Sequence, residues 1–197
     1  ANLTLRKRGM TLCPQPGQPI LASDARGIRL AAGASRLDLA GMLGDTPIRI
    51  TGGAAGFAWP GLLAMRSVDV ALGDTADPSR FRVANLAARL GKDVAGHFTG
   101  GNVSLAEVPL DVLDATGEWR FASGRLTLAD VAFRLVDRQK DARFQPLVSG
   151  GASLVLASNR ITAQAAMHEP QSQREVVRAD IAHDLGSGIG SANLAMN

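Results

Sequence analysis

The sequence predicts an all-β fold, an antiparallel meander whose sheet has one apolar and one wetted face. Three observations predict it. Apolar and polar residues alternate along most of the chain, as on strands whose successive side chains point to opposite faces. Turn-forming residues punctuate the alternation at intervals of roughly 8 to 15 residues, the spacing of a meander. A helical period is almost nowhere found; only 35–43, where Leu37, Ala40 and Leu43 fit a spacing near three, also reads as a short helix.

Taken in order, strand-like sequence begins at Leu3 and Leu5. Three prolines within 13–19 then forbid a central strand and predict a loop or an edge crossing. Ile28 and Leu30 share one face, as do Leu37 and Leu39, then Val68, Val70 and Leu72, then Phe81 and Val83. The pattern resumes with Trp119 and Phe121, Leu126 and Leu128, and Val131, Phe133 and Leu135. It ends with Leu154 and Leu156, Ile161 to Met167, Val177 to Ile181, and Ala192, Leu194 and Met196. Gly52-Gly53, Gly73-Asp74, Asp77-Pro78, 91–93, 100–102, Ser123-Gly124, Gly150-Gly151, Ser158-Asn159 and 186–188 read as turns, because these residues tolerate positive φ or start turns. One hairpin of unequal arms is predicted, with 118–121 and 125–136 joined through 122–124.

No linker divides the chain, so residues 1–197 read as a single β-rich segment, less regular over 1–66 and strand-and-turn over 67–197. It starts with Ala1 rather than Met, and strand pattern runs up to both ends. That predicts a segment of a longer protein, with any targeting signal or anchor outside it.

Composition excludes several classes. Aromatic residues make up 4% of the chain and there is no tyrosine, so thin apolar side chains stand where a sandwich usually places rings. The net charge of +3 arises from 21 basic and 18 acidic residues interspersed along the chain, which is a solvated face and not a nucleic-acid stripe. The run Arg6-Lys7-Arg8 reads as an exposed strand end. A lone Cys13 excludes an internal disulfide. No stretch reaches the ~18 apolar residues of a membrane helix, and the aromatic girdles of an outer-membrane barrel are lacking.

No catalytic constellation stands out. His97, His168 and His183 lack metal-ligand spacing, and Cys13 has no Cys partner, so neither metal nor cofactor is expected. The glycine-rich run 186–190 is followed by no Lys-Ser/Thr and opens no helix, so it reads as a turn or bulge. Ser187 beside His183 and Asp184 fails as a nucleophile elbow, because Leu185 and Ile189 occupy both glycine positions. The mixed-charge stretch Asp137, Arg138, Lys140, Asp141 and Arg143 reads as a solvated connection. The expected protein is not an enzyme.

The last third does carry family words. Gly117-Glu118-Trp119-Arg120-Phe121, then Gly124-Arg125-Leu126-Thr127-Leu128, then Asp137 with Arg143-Phe144-Gln145-Pro146-Leu147, and above all the run 181–194 with its His-Asp-Leu and Gly-x-Gly-x-Ala, form the pattern. It resembles the YdbH-like proteins, a branch of the AsmA and TamB superfamily of bacterial envelope proteins. The resemblance runs from about residue 80 to 197. It implies a protein anchored in the inner membrane through a part outside this segment, extending through the periplasm towards a partner at the outer membrane. It also implies a long β-sheet curled into an open β-groove that conducts phospholipids, with no catalytic residues to carry over.

On that reading, acyl chains would contact a lining drawn from Val68, Val70, Leu72, Phe81, Val83, Val94, Phe98, Trp119, Phe121, Leu126, Leu128, Val131, Phe133, Leu135, Leu154, Leu156, Ile161, Val177, Ile181, Leu194 and Met196. Alternation alone permits a second reading, a structural or interaction domain in which the same residues fill a closed core.

Overall fold

The computed structural model describes residues 3–6, 11–25 and 27–197. Every regular element among them is a strand: β1 (Leu3–Arg6), β2 (Leu21–Asp24), β3 (Gly27–Ala34), β4 (Leu37–Leu43), β5 (Thr46–Gly52), β6 (Ala55–Trp59), β7 (Gly61–Leu72), β8 (Ser79–Leu90), β9 (Val94–Ser104), β10 (Leu110–Ala122), β11 (Arg125–Asp137), β12 (Leu147–Ala157), β13 (Arg160–His168), β14 (Glu175–Asp184) and β15 (Gly190–Met196). All belong to one antiparallel sheet, which runs β1-β4-β5-β7 and then through each strand in turn to β15; β2 pairs with β3, β3 with β6, and β6 with β7. The sheet is curled and open, with no closure into a barrel.

Residues 35–43 are not helical. Leu37, Leu39, Gly41 and Leu43 alternate along β4, which is held between β5 and β1, so the spacing of Leu37, Ala40 and Leu43 has no structural counterpart. The proline-rich stretch is a connection with a single bridge from Cys13 to Gly33. The hairpin at 123–124 has arms of equal length, 13 residues each, because Gly117 and the residues before it continue β10. Its two-residue turn has φ 50° at Ser123 and 73° at Gly124, the doubly left-handed geometry that matches strand twist; Ser158-Asn159 repeats it with φ 48° and 64°.

Two glycine pairs read as turns lie inside strands instead. Gly100-Gly101 sits in β9 and Gly150-Gly151 in β12, with φ 63° at Gly100 and 87° at Gly151. Both are β-bulges, where the same tolerance of positive φ inserts an extra residue into a strand without reversing it. They belong to a column. Ser67 of β7 (φ 52°), Asp114 of β10 (φ 56°) and Asp130 of β11 (φ 49°) continue it; the β9–β10, β10–β11 and β11–β12 ladders shift register at this height, while β7 and β8 stay in register past Ser67. At this height each strand from β7 to β12 replaces the apolar i, i+2 step by a single i, i+3 step: Met65 to Val68, Val83 to Leu86, Phe98 to Gly101, Val112 to Ala115, Leu128 to Val131, Ser149 to Ala152. The extra residue therefore keeps the apolar face continuous.

Because a bulge bends its strand, a column of them creases the sheet across its strands. Towards the N-terminus the crease becomes a gap. β5 and β6 both pair along one edge of β7, as one strand broken at Gly53-Ala54, where Gly53 N–H donates to the Arg66 carbonyl at 2.8 Å and Arg66 N–H to the Ala54 carbonyl at 3.0 Å. β3 and β4 repeat the break at Ser35-Arg36. The sheet thus divides into two wings there, β5-β4-β1 and β6-β3-β2.

Candidate functional site

Cross-strand partners share a face, so register assigns every residue to a side. One row runs Leu63, Ala88, Gly96, Trp119, Leu128, Leu154, Ala163, Ile181, Ala192. Beside it runs Leu90, Val94, Phe121, Leu126, Leu156, Ile161, His183. Beyond the crease lie Val68, Val83, Gly101 and Ala115, then Val70, Phe81, Val103, Val112, Leu135 and Leu147. All 21 residues of the expected lining fall on this one face, including Phe98, Val131, Phe133, Leu72, Val177, Leu194 and Met196.

The face is larger than the lining read from the sequence. Ile48 and Ile50 of β5, Leu37 and Leu39 of β4, Phe57 and Trp59 of β6, Leu30 of β3 and Met65 of β7 extend it through both wings. Their signal was the same alternation, in shorter runs. Seven of the eight aromatic residues lie on this face, Phe144 being the exception.

The sheet is concave towards this side. Among the described residues ten are buried, Ala32, Ala34, Ala88, Gly101, Ala115, Ala152, Ala179, Leu147, Asp137 and Ser149, and every one is on the apolar face. Six are alanines, and Ala34, Ala115 and Ala152 stand beside the crease or its gap. Small residues floor the concavity and larger ones form its walls. The Phe98 ring lies across two glycines, since a Cβ on Gly101 or Gly117 would stand 3.2 Å from it.

The apolar face is not sealed. Among the described residues no large side chain is fully buried, and Phe81, Phe121 and Ile181 remain 36%, 47% and 44% exposed. The chain presents 12786 Å² to solvent, whereas a closed monomer of 20.5 kDa would present about 8,900 Å². A sandwich burying the same residues between two layers would show neither property.

The convex face is polar. Arg49 pairs with Asp38 at 3.2 Å, Arg82 and Arg80 with Asp69 at 2.9 and 3.5 Å, and Arg134 with Asp114 at 3.3 Å. These are exposed pairs of small individual worth, and they keep the back of the sheet wet.

One charged residue belongs to the concave side. Asp137 ends β11 with its side chain fully buried and gathers the connection 138–146: it accepts the Arg143 Nε–H at 2.6 Å, the Arg143 amide at 3.1 Å and the Gln139 amide at 3.0 Å. The Arg143 guanidinium and these amides hold its carboxyl at about 2, below the usual 3.8, with burial opposing them. Next to it, Arg138 donates to Ser104 Oγ and to the carbonyls of Leu105 and Val108, and lies 3.4 Å from Asp111. This stretch, read from sequence as solvated, ties two connections to the strand ends.

The catalytic alternatives do not assemble. His97 is on the convex face opposite Glu118, His183 is on the concave face, and His168 ends β13. Asp184 accepts the amides of Ser187 and Gly186 and the Ser187 hydroxyl, which lower its carboxyl below the usual range, so Ser187 and Asp184 close a turn. Among the described residues no group of three His, Cys, Asp or Glu side chains is placed to hold a metal. Cys13 is exposed. Of the basic run, Arg6 ends β1 and is exposed, while Lys7 and Arg8 lie outside the described residues.

The site is therefore an apolar trough about twelve strands long with solvent access. Neither a curated protein nor a solved structure shows significant similarity to this chain. The model of one family, described as the intermembrane phospholipid transport protein YdbH, matches residues 11–197, nearly the whole length. The chain belongs to the YdbH-like family, and that membership implies a part in phospholipid transport between membranes.

Proposed function

We propose that the trough binds the acyl chains of phospholipids and lets them slide across the strands, as a section of a periplasmic path between the inner and outer membranes. The observation that carries this reading is the continuous concave apolar face, with a small-residue floor and half-exposed rings, in a chain of the YdbH-like family. Twelve strands spaced ~4.8 Å apart span roughly 53 Å, so the segment supplies a stretch of track rather than a single pocket.

Burying one acyl CH₂ is worth about 0.8 kcal/mol, so half-contact along a ~16-carbon chain returns on the order of 6 kcal/mol, much of the cost of holding that chain in water. Apolar contact is non-directional. Neighbouring positions along the rows therefore bind almost equally, and the barrier between them is low. Inner-membrane anchoring and an outer-membrane partner belong to the same reading and would reside outside the residues described.

Photocrosslinking from Leu128 and Phe133 in cells, with extraction and mass spectrometry of the adducts, tests it. Phospholipid adducts at both positions are expected. Adducts with protein alone, and no co-purifying lipid, would favour an interaction domain whose apolar face is covered by another polypeptide.

A further inference from the structure

Three buried side-chain polar atoms among the described residues have no hydrogen-bond partner: Trp119 Nε1, Ser149 Oγ and Asp111 Oδ1. Asp111 is on the convex face, where its Oδ1 lies 3.4 Å from Arg138. The other two stand on the apolar face, Trp119 in β10 and Ser149 in β12. The same-face neighbours of Trp119 are Gly96 and Leu128 across the ladders and Gly117 and Phe121 along its own strand. Those of Ser149 are Phe133 across the ladder and Leu147 and Ala152 along β12. None of these side chains can accept a hydrogen bond. Both strands are paired on both edges, so the backbone carbonyls around them lie in the plane of the sheet and face the neighbouring strands.

A buried donor left unmet costs free energy, and native proteins keep few of them, so two on one apolar face call for an acceptor from outside the chain. A trough filled with acyl tails has no water to supply one. The phosphate of a phospholipid stays with the solvent at the mouth. The acceptors that a diacyl lipid carries next to its tails are the carbonyl oxygens of its two ester linkages.

We infer that the Trp119 indole N–H and the Ser149 hydroxyl donate to ester carbonyl oxygens of phospholipids whose tails occupy the concave face. This rests on the acyl-binding reading above and adds to it recognition of the ester linkage. Tryptophan suits the task because its rings lie with hydrocarbon while its N–H seeks a polar partner. The Trp119 and Phe133 rings are half-buried and Phe121 is 47% exposed, so small side-chain rotations open a way to both donors, and the serine hydroxyl turns freely. The donors are two strands apart, roughly 10 Å, on opposite sides of the crease, whereas the two esters of one lipid sit on adjacent glycerol carbons. They therefore serve different lipids, or one lipid in turn. A single neutral hydrogen bond at each is weak enough to be exchanged for the next.

The test compares diacyl phosphatidylethanolamine with its dialkyl ether analogue, which has the same headgroup and chain length but no carbonyls. The protein is loaded from an equimolar mixture, freed of vesicles by gel filtration, and its retained lipid counted by mass spectrometry. The ester form should be favoured about fivefold. Trp119→Phe combined with Ser149→Ala should bring the ratio to one by lowering ester retention while ether retention holds. With Trp59→Phe leaving Trp119 as the one indole, its N–H proton resonance should move downfield with the ester lipid and stay in place with the ether lipid. Equal retention of the two lipids by the wild type, or an unmoved indole resonance, overturns the ester assignment and leaves the trough intact. Retention of neither lipid defeats the trough, and the ester assignment with it. A double variant that loses both lipids equally would reduce Trp119 and Ser149 to packing and also overturn the proposal. In the lipid-free protein Ser149→Ala should raise the urea midpoint; a lowered one would reveal a partner for the hydroxyl within the chain and remove Ser149 from the assignment.

Discussion

A track fails at its weakest position, so one charge on the concave face should obstruct the whole trough. Leu128 lies mid-sheet in the row from Trp119 to Leu154, half-buried. In Leu128→Asp, a passing acyl chain loses about 1 kcal/mol of contact with half a leucine side chain. It must also strip water from a carboxylate, at about 2 kcal/mol even with partial compensation. Together these lower occupancy at that position roughly 100-fold, since every 1.4 kcal/mol is tenfold. Thr127→Asp, one residue away on the convex face opposite Arg120, provides the control: it adds the same charge without touching the trough. The assay is lipid crosslinking from Val70 and from Leu194, on either side of the obstruction, in cells depleted of any redundant transporter. Leu128→Asp should leave lipid at one of these positions and remove it from the other, with Thr127→Asp unchanged. Equal adducts at both positions in a folded Leu128→Asp protein would refute a continuous sliding path.

Three further outcomes follow from the geometry. Gly96→Ala places a Cβ 1.8 Å from the Ala87 carbonyl oxygen of the neighbouring strand, whereas Gly56→Ala meets nothing within 4 Å; urea denaturation followed by circular dichroism should show a loss of more than about 3 kcal/mol for the first and less than about 0.5 for the second. Asp137 has a folded pKa of about 2 against the usual 3.8, so its stabilisation is fully present above the unfolded value and is lost as pH falls through 2. Urea midpoints measured from pH 5 to pH 2 should therefore converge between wild type and Asp137→Asn, and curves that stay parallel would contradict the assignment. Asp130→Gly should be neutral or stabilising because φ there is 49°, while Asp130→Val should lose about 1 to 3 kcal/mol in the same unfolding measurement.

Much of the fold was legible because a two-residue period survives in short windows. Leu126, Leu128, Val131, Phe133 and Leu135 could be assigned to strand from their spacing, and the register places them side by side. The three-residue step between Leu128 and Val131 was equally visible, but its meaning as a bulge emerges only when neighbouring strands show the same step at the same height. Gly100-Gly101 and Gly150-Gly151 were misread for a related reason: positive φ serves turns and bulges alike, and only the partner strand distinguishes them. Over 35–43 the run is short enough for a helical spacing to coincide with a strand, and pairing of β4 on both edges decides the outcome. Concavity is the property alternation cannot carry, since a core filled from two sides and a trough require the same pattern. The nearest signal was the size of the residues near each three-residue step, where Gly101, Ala115 and Ala152 are small and Phe98 and Phe133 flank them.

From β7 onwards every ladder joins strands that are consecutive in the chain. Length in such an arrangement is an arithmetic property: gaining or losing one hairpin adds or removes about 10 Å while the direction of each surviving strand and the side its apolar residues take stay the same. Copying or deleting a pair of strands would therefore lengthen or shorten the apolar face without redesigning its cross-section.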